Sequence, residues 1–255
     1  MTSDGRVTDY DQIAESFDRR YALYAYDGVR DTLLNFLGPT PVAALEVGCG
    51  TGHWLGAALA HTSWLAGVEP SAAMLEHARL AVPAARLVRA RAEDLPWRDQ
   101  TFDRIFCVNA LHHFADRDRF FAEARRILRP GGGLLSIGKD PHTERDDWWV
   151  YQYFEETRAI DRARFAPVRT LRGELTRAGF AWSESLEADH IEAAHRASDA
   201  LAGGVVDRSF TSQLSVLTDE EFDRGVARLR EADAQAGGEL TLVADFRLYA
   251  TVGWL

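Results

Sequence analysis

Leu45-Glu46-Val47 runs directly into Gly48, Gly50 and Gly52, three glycines at alternating positions. Glycine reaches positive φ angles and lacks the Cβ that would hold a ligand away from the main chain. Glu46 places a carboxylate just ahead of this loop, where it would repel phosphate and welcome an ammonium group. Glu69 places a second one further along, in Gly67-Val68-Glu69-Pro70-Ser71. A carboxylate at a strand end can accept both hydroxyls of a ribose. Asn109-Ala110-Leu111-His112-His113-Phe114 adds two imidazoles. With an unperturbed pKa near ~6.5, either His can take a proton from a hydroxyl or amine near neutral pH.

The glycine spacing selects among ligands. A dinucleotide fingerprint needs G-x-G-x-x-G, with the pyrophosphate on the helix N-terminus, but His53 stands where the third glycine would fall. That spacing argues against a nicotinamide-dependent oxidoreductase and for a ligand without pyrophosphate. S-adenosylmethionine (SAM), which has an amino group, a ribose and an adenine but no phosphate, meets the description.

These residues need a strand–loop–helix frame. Apolar runs alternate with amphipathic segments from 42 to about 138, the pattern of βαβ units and a parallel sheet. Strands are expected near 42–47, 64–68, 86–89, 103–109 and 134–138. Helices are expected over 53–61, over 71–81 with Ser71 as cap, and over 117–128, with Arg129-Pro130-Gly131 ending the last. Gly131-Gly132-Gly133 reads as a turn. Further on, 171–179 reads as a helix, 180–187 as a sixth strand, and 190–236 as helical with a capping-box start at Thr218-Asp219-Glu220-Glu221. Residues 240–250 alternate as a half-exposed antiparallel strand. Ahead of the core, 8–37 read as two helices carrying an aromatic stripe that includes Phe17 and Tyr21.

Taken in order, the glycine loop, the acidic strand end at Glu69, Ala92-Glu93-Asp94-Leu95-Pro96, Phe102-Asp103-Arg104-Ile105 and Arg129-Pro130-Gly131-Gly132 resemble the class I SAM-dependent methyltransferases, within them the small-molecule, type 11-like group. The resemblance covers residues 42–138. It implies an α/β Rossmann-like fold: a seven-stranded mixed sheet of order 3-2-1-4-5-7-6, helices on both faces and helical cap insertions. It also implies that Glu46, Gly48, Gly50 and Gly52 surround the methionine moiety, Glu69 the ribose, and Ala92 with Glu93 the adenine edge. The Asn109 carbonyl would meet the methionine ammonium. Many relatives carry an acidic residue where this chain has Arg91.

The expected reaction is transfer of the SAM methyl group to oxygen, nitrogen or carbon of a small-molecule acceptor, with oxygen favoured and S-adenosylhomocysteine (SAH) as product. A SAM- or SAH-binding protein that does not methylate, a cyclase or regulatory module, is the alternative. His113 and His112 are the candidate bases. Phe17, Tyr21, Lys139, Asp140, His142, Trp148 and Trp149 are the candidate acceptor contacts. No metal is expected, since adjacent His side chains tend to diverge and no third ligand is evident.

The chain of 255 residues suits residues 1–38 as a helical cap and 39–255 as a methyltransferase domain with insertions at about 140–170 and 190–236. A net charge of −10 argues against nucleic-acid partners. No apolar stretch of ~20 residues and no signal-peptide pattern is present, so a cytoplasmic protein without a membrane partner is expected. Cys49 and Cys107 read as buried small side chains.

Overall fold

The structure, a computed structural model, describes residues 8, 10–14 and 18–255. Its strands are β1 (Val42–Val47), β2 (Thr62–Val68), β3 (Arg86–Val88), β4 (Phe102–Val108), β5 (Leu128–Gly138), β6 (Asp147–Trp148), β7 (Trp182–Arg196) and β8 (Thr241–Trp254). The described residues divide into two units. The first comprises residues up to 25, 141–165 and 190–247; the second comprises 26–140, 166–189 and 248–255.

The second unit carries the sheet order β3-β2-β1-β4-β5-β8, with β7 also paired to β8. β1 to β5 run parallel and β8 returns antiparallel to β5. Ala181 N–H donates to Trp254 O, and Ser185 meets Thr251, so β7 is antiparallel to β8. With β8 and β7 counted as seventh and sixth, this is the expected 3-2-1-4-5-7-6 order, while β6, antiparallel to β8 at Asp147–Asp245 and Trp148–Ala244, makes eight strands among the described residues where seven are expected.

Alternation in β1 explains the layering. Leu45 and Val47 join a core with Phe120, Phe121, Ala124, Ile127, Leu171 and Leu175, from the helices Arg117–Ile127 and Val168–Arg177. On the opposite face a Cβ on Gly67 would meet Leu55 Cδ1 at 2.9 Å, and one on Gly133 would meet Phe36 at 3.1 Å. The helices His53–Ala58 and Asp27–Leu37 therefore cover that side. Asp27–Leu37 buries Val29, Leu33, Phe36 and Leu37, and so belongs to the sheet unit rather than to a cap at 1–38.

In the first unit, Tyr10–Ile13 and Arg19–Leu23 are short helices, so among the described residues 8–37 holds three helices where two are expected. Trp148 and Trp149 are buried beside Tyr24, Tyr151, Phe154 and Phe246. Asp161, fully buried, accepts from Tyr151 Oη (2.6 Å), Gln213 Nε2 (2.9 Å) and Arg164 (2.6 Å). The helix Asp219–Gln235 opens with the expected capping box between Thr218 and Glu221.

Two expectations need correction. Residues 190–196 are strand, not helix, because β7 continues through them. Residues 129–132 lie within β5: Phe102 pairs with Leu128 and Arg104 with Gly133, so four residues bulge out opposite Asp103 with Gly131 at φ +75°. No described helix is long and apolar enough to cross a membrane.

Candidate active site

Gly48, Gly50 and Gly52 all adopt positive φ (76°, 53° and 90°), the conformation the spacing predicts. The Gly48 and Cys49 amides donate to Val68 O at 2.8 and 3.0 Å, which fastens the loop to the end of β2. A Cβ on Gly48 would stand 2.6 Å from Ala110 Cβ, and one on Gly52 only 3.2 Å from Ala78 Cα. The two positions have no room for a side chain.

Glu69 is buried and accepts from Gly50 N (3.1 Å) through Oε2 and from Ser71 N (3.0 Å) through Oε1. It thereby joins the glycine loop to the start of the helix Ala72–Ala81, whose cap is Ser71 Oγ on Met74 N. Each carboxylate oxygen keeps acceptor capacity for a hydroxyl. Glu46, 1% exposed, has an Oε2 with no hydrogen-bond partner. Burial first, and the Glu69 charge second, push its carboxyl well above the usual range.

Asn109, at the end of β4, holds φ +51° while its amide donates to Ile137 O at 2.7 Å. Non-glycine residues at positive φ cost energy and concentrate at functional sites. The turn Leu111–His113 follows, its two imidazole centroids 3.8 Å apart, so the adjacent rings lie side by side instead of diverging. Glu93 Oε1 accepts from Ala115 N (2.6 Å) and Asp116 N (3.2 Å), fastening the Ala92-Glu93 segment to the chain just after that turn.

Lys139 and Asp140 are buried rather than part of a solvated loop, and Asp140 Oδ2 accepts from Val168 N at 3.0 Å. These residues share the second unit with the glycine loop, Glu69 and the His pair. The remaining acceptor candidates are in the first unit: a His142 ring nitrogen, Nε2, donates to Phe165 O at 2.9 Å, Tyr21 Oη accepts from Arg20, and Trp148 and Trp149 are core. Phe17 lies outside the described residues. Among the described residues, three ligand-type side chains converge at His190, Glu192 and Asp245, away from the His pair in sequence and in the first unit.

Sequence reasoning missed Tyr249, whose hydroxyl is buried without a hydrogen-bond partner opposite Gly138 in the β5–β8 register. Its alternating neighbours offered no local signal. It also missed Trp54, buried in the first turn after the loop and edge-on to Tyr26 at 6.2 Å.

Residues 45–136 match the family model described as methyltransferase domain. That stretch, which holds the glycine loop, Glu69, Glu93, Asn109 and the His pair, is similar to a SAM-dependent methyltransferase domain. The chain is 33% identical over 177 residues to malonyl-[acyl-carrier protein] O-methyltransferase of Methylococcus capsulatus, covering 62% of each chain. It is 37% identical over 109 residues to phthiotriol/phenolphthiotriol dimycocerosates methyltransferase 1 of Mycobacterium ulcerans, covering 41% of this chain and 40% of that one. The chain thus spans about two fifths of the length of the latter relative. A putative methyltransferase from an antibiotic biosynthesis pathway of Anabaena variabilis shares the fold with a TM-score of 0.72 at 22% identity, over 88% of this chain and 95% of that one.

The residues of the 45–136 stretch fit SAM. The unpartnered Glu46 oxygen is an acceptor for an ammonium, the glycine loop leaves no Cβ in the way, and Glu69 presents two buried oxygens beside it. Both cysteines are free and buried, as read from the sequence.

Proposed function

We propose that this chain transfers the methyl group of SAM to an oxygen of a small-molecule acceptor. The observation that carries the reading is the conjunction of three left-handed glycines with Glu69 hydrogen-bonded across the loop, the arrangement a ribose-bearing ligand requires. The names of the malonyl and phthiotriol relatives support a small or carrier-borne acceptor, and the former supports oxygen.

Bound SAM would supply an electrophilic methyl on a sulfonium, which leaves as SAH. Glu46, Gly48, Gly50 and Gly52 would hold the amino-acid end, Glu69 the ribose, and Ala92 with Glu93 the adenine. The Asn109 carbonyl would meet the ammonium. His113, with His112 against it, would take the acceptor proton as the C–O bond forms and the C–S bond breaks. Lys139 and Asp140, which follow β5, are the acceptor contacts proposed in the same unit. Holding donor and acceptor in line supplies up to ~7–11 kcal/mol, so His113→Ala should slow transfer by only ~10²-fold, the low end of general-base effects.

The test is a mass-detected methylation assay with SAM and a panel of hydroxyl, carboxyl and amine acceptors, run beside Glu69→Ala. A gain of one methyl in the wild type, lost in the variant, supports the reading. Binding of SAM and SAH without transfer to any acceptor would favour a non-methylating binding protein.

A further inference from the structure

Among the candidate cofactor residues, Glu46 alone has a buried oxygen left over. It stands opposite Gly67 in the β1–β2 register. On that face a Cβ at Gly67 would meet Cys49 Sγ and Leu55 Cδ1 at 2.9 Å each, so the carboxyl sits in close packing rather than in water. A buried carboxylate oxygen without a donor is costly. Two things remove the cost: a proton on the carboxyl, or a cationic donor beside it.

The groups that act on Glu46 distinguish the two states. Glu69 opposes its charge and the Leu55 backbone N–H favours it. The neighbouring thiols do not compensate. Burial first, with the Glu46 charge adding to it, pushes Cys49 well up and Cys107 up to about 12. Glu69, by contrast, has backbone donors on both oxygens. The two carboxyls of the site are therefore built for different charge states, one fixed and one waiting for a partner.

We propose that Glu46 is a carboxylic acid in the ligand-free protein and a carboxylate in the complex, so the site prefers ligands with a cationic α-amino group and releases a proton to solvent when one binds. The inference rests on the SAM and SAH reading of the site. In balance, the carboxyl O–H is lost to solvent, the ligand ammonium takes its place against the carboxylate, and no covalent bond of the ligand changes.

Titration calorimetry of the whole chain with SAH and with 5′-methylthioadenosine, which lacks the amino-acid end, tests this in phosphate and imidazole buffers at mildly acidic pH. The dependence of heat on buffer ionisation counts protons. SAH binding should release about one proton and 5′-methylthioadenosine binding none. Glu46→Gln should release about one fewer with SAH than the wild type. The wild-type affinity for SAH should also weaken about tenfold per unit fall in pH. Equal proton counts for the two ligands, or an SAH affinity that is flat with pH, overturns the proposal and leaves the cofactor reading intact. No heat and no thermal shift with either SAM or SAH overturns both. If the Glu46→Gln protein does not fold, the wild-type ligand comparison and pH series decide alone.

Discussion

The two carboxylates of the site should respond in opposite directions to removal. Glu69 ties Gly50 N and Ser71 N together, and hydrogen bonds to a charged group contribute about 1.5–3 kcal/mol each. Glu69→Ala should therefore lower stability by about 2 kcal/mol or more, and abolish the thermal shift with SAH. Glu46 sits the other way round. Its carboxyl is raised in the folded chain, so between the unfolded range near ~4.3 and the raised value the native state holds the extra proton. Stability falls as pH rises through that window. Glu46→Gln should be more stable than the wild type without ligand, by about 0.5–2 kcal/mol at neutral to alkaline pH, and should show a flatter pH profile. Thermal melts from mildly acidic to alkaline pH check this. A Glu46→Gln variant that melts below the wild type at every pH would show that the carboxyl is satisfied.

At the scale of elements, the loop between β1 and the helix His53–Ala58 holds three glycines at positive φ. Gly48→Ala would meet Ala110 Cβ at 2.6 Å with φ at 76°. The left-handed conformation alone costs about 1–2 kcal/mol for an L side chain, so this variant should unfold at lower temperature and give no SAH shift. Retention of both the melting point and the shift would mean that the loop can re-form without its glycine. β8 offers a contrasting case. Tyr249→Phe removes a buried hydroxyl that has no partner, and the melting point should rise by a few degrees, since the lost group cost about 1 kcal/mol or more. A fall of that size would reveal a partner for the hydroxyl.

What was legible in the sequence follows from locality. The glycine loop, Glu69, the Ser71 cap and the Thr218–Glu221 capping box declare themselves because the residues that make each feature lie within a few positions of one another. β7 beyond 187 did not. Its Glu192-Ala193-Ala194-His195 run is helix-favouring, and pairing with β8, as in Ala197 N to Leu240 O just past its end, overrides the propensity. The bulge at 129–132 reads locally as a turn for the same reason, since only the β4 register shows that the strand begins at Leu128 and resumes its pairing at Gly133. The Asp140 carboxylate is held by Val168 N–H, 28 positions away, and no local pattern carries that contact.

At the scale of the molecule, the two units differ in character. The second unit contains the glycine loop, both site carboxylates and the His pair; the first contains Asp161, with Tyr151 and Gln213 donating to it and burial raising the Tyr151 phenol. Truncating a buried charged group's partner set is costly, and Asp161→Ala, which leaves Arg164 facing no carboxylate, should destabilise by about 3–5 kcal/mol. Ligand linkage acts only on openings that break the ligand's own contacts. The Gly50 and Ser71 amides, held by Glu69, exchange when the loop opens. SAH at a hundred times its dissociation constant should slow that exchange by up to about a hundredfold, equivalent to ~2.7 kcal/mol. The amides around Asp161 include none of the proposed cofactor contacts, and their exchange should stay within about twofold of the ligand-free rate wherever it proceeds by local opening. Hydrogen exchange with and without SAH separates the cases. Equal slowing in both sets would mean that they exchange through one global unfolding, so that the stability supplied at the glycine loop is shared by the Asp161 core. A change confined to the Asp161 set would place the ligand in the first unit and remove Glu69 from the cofactor site.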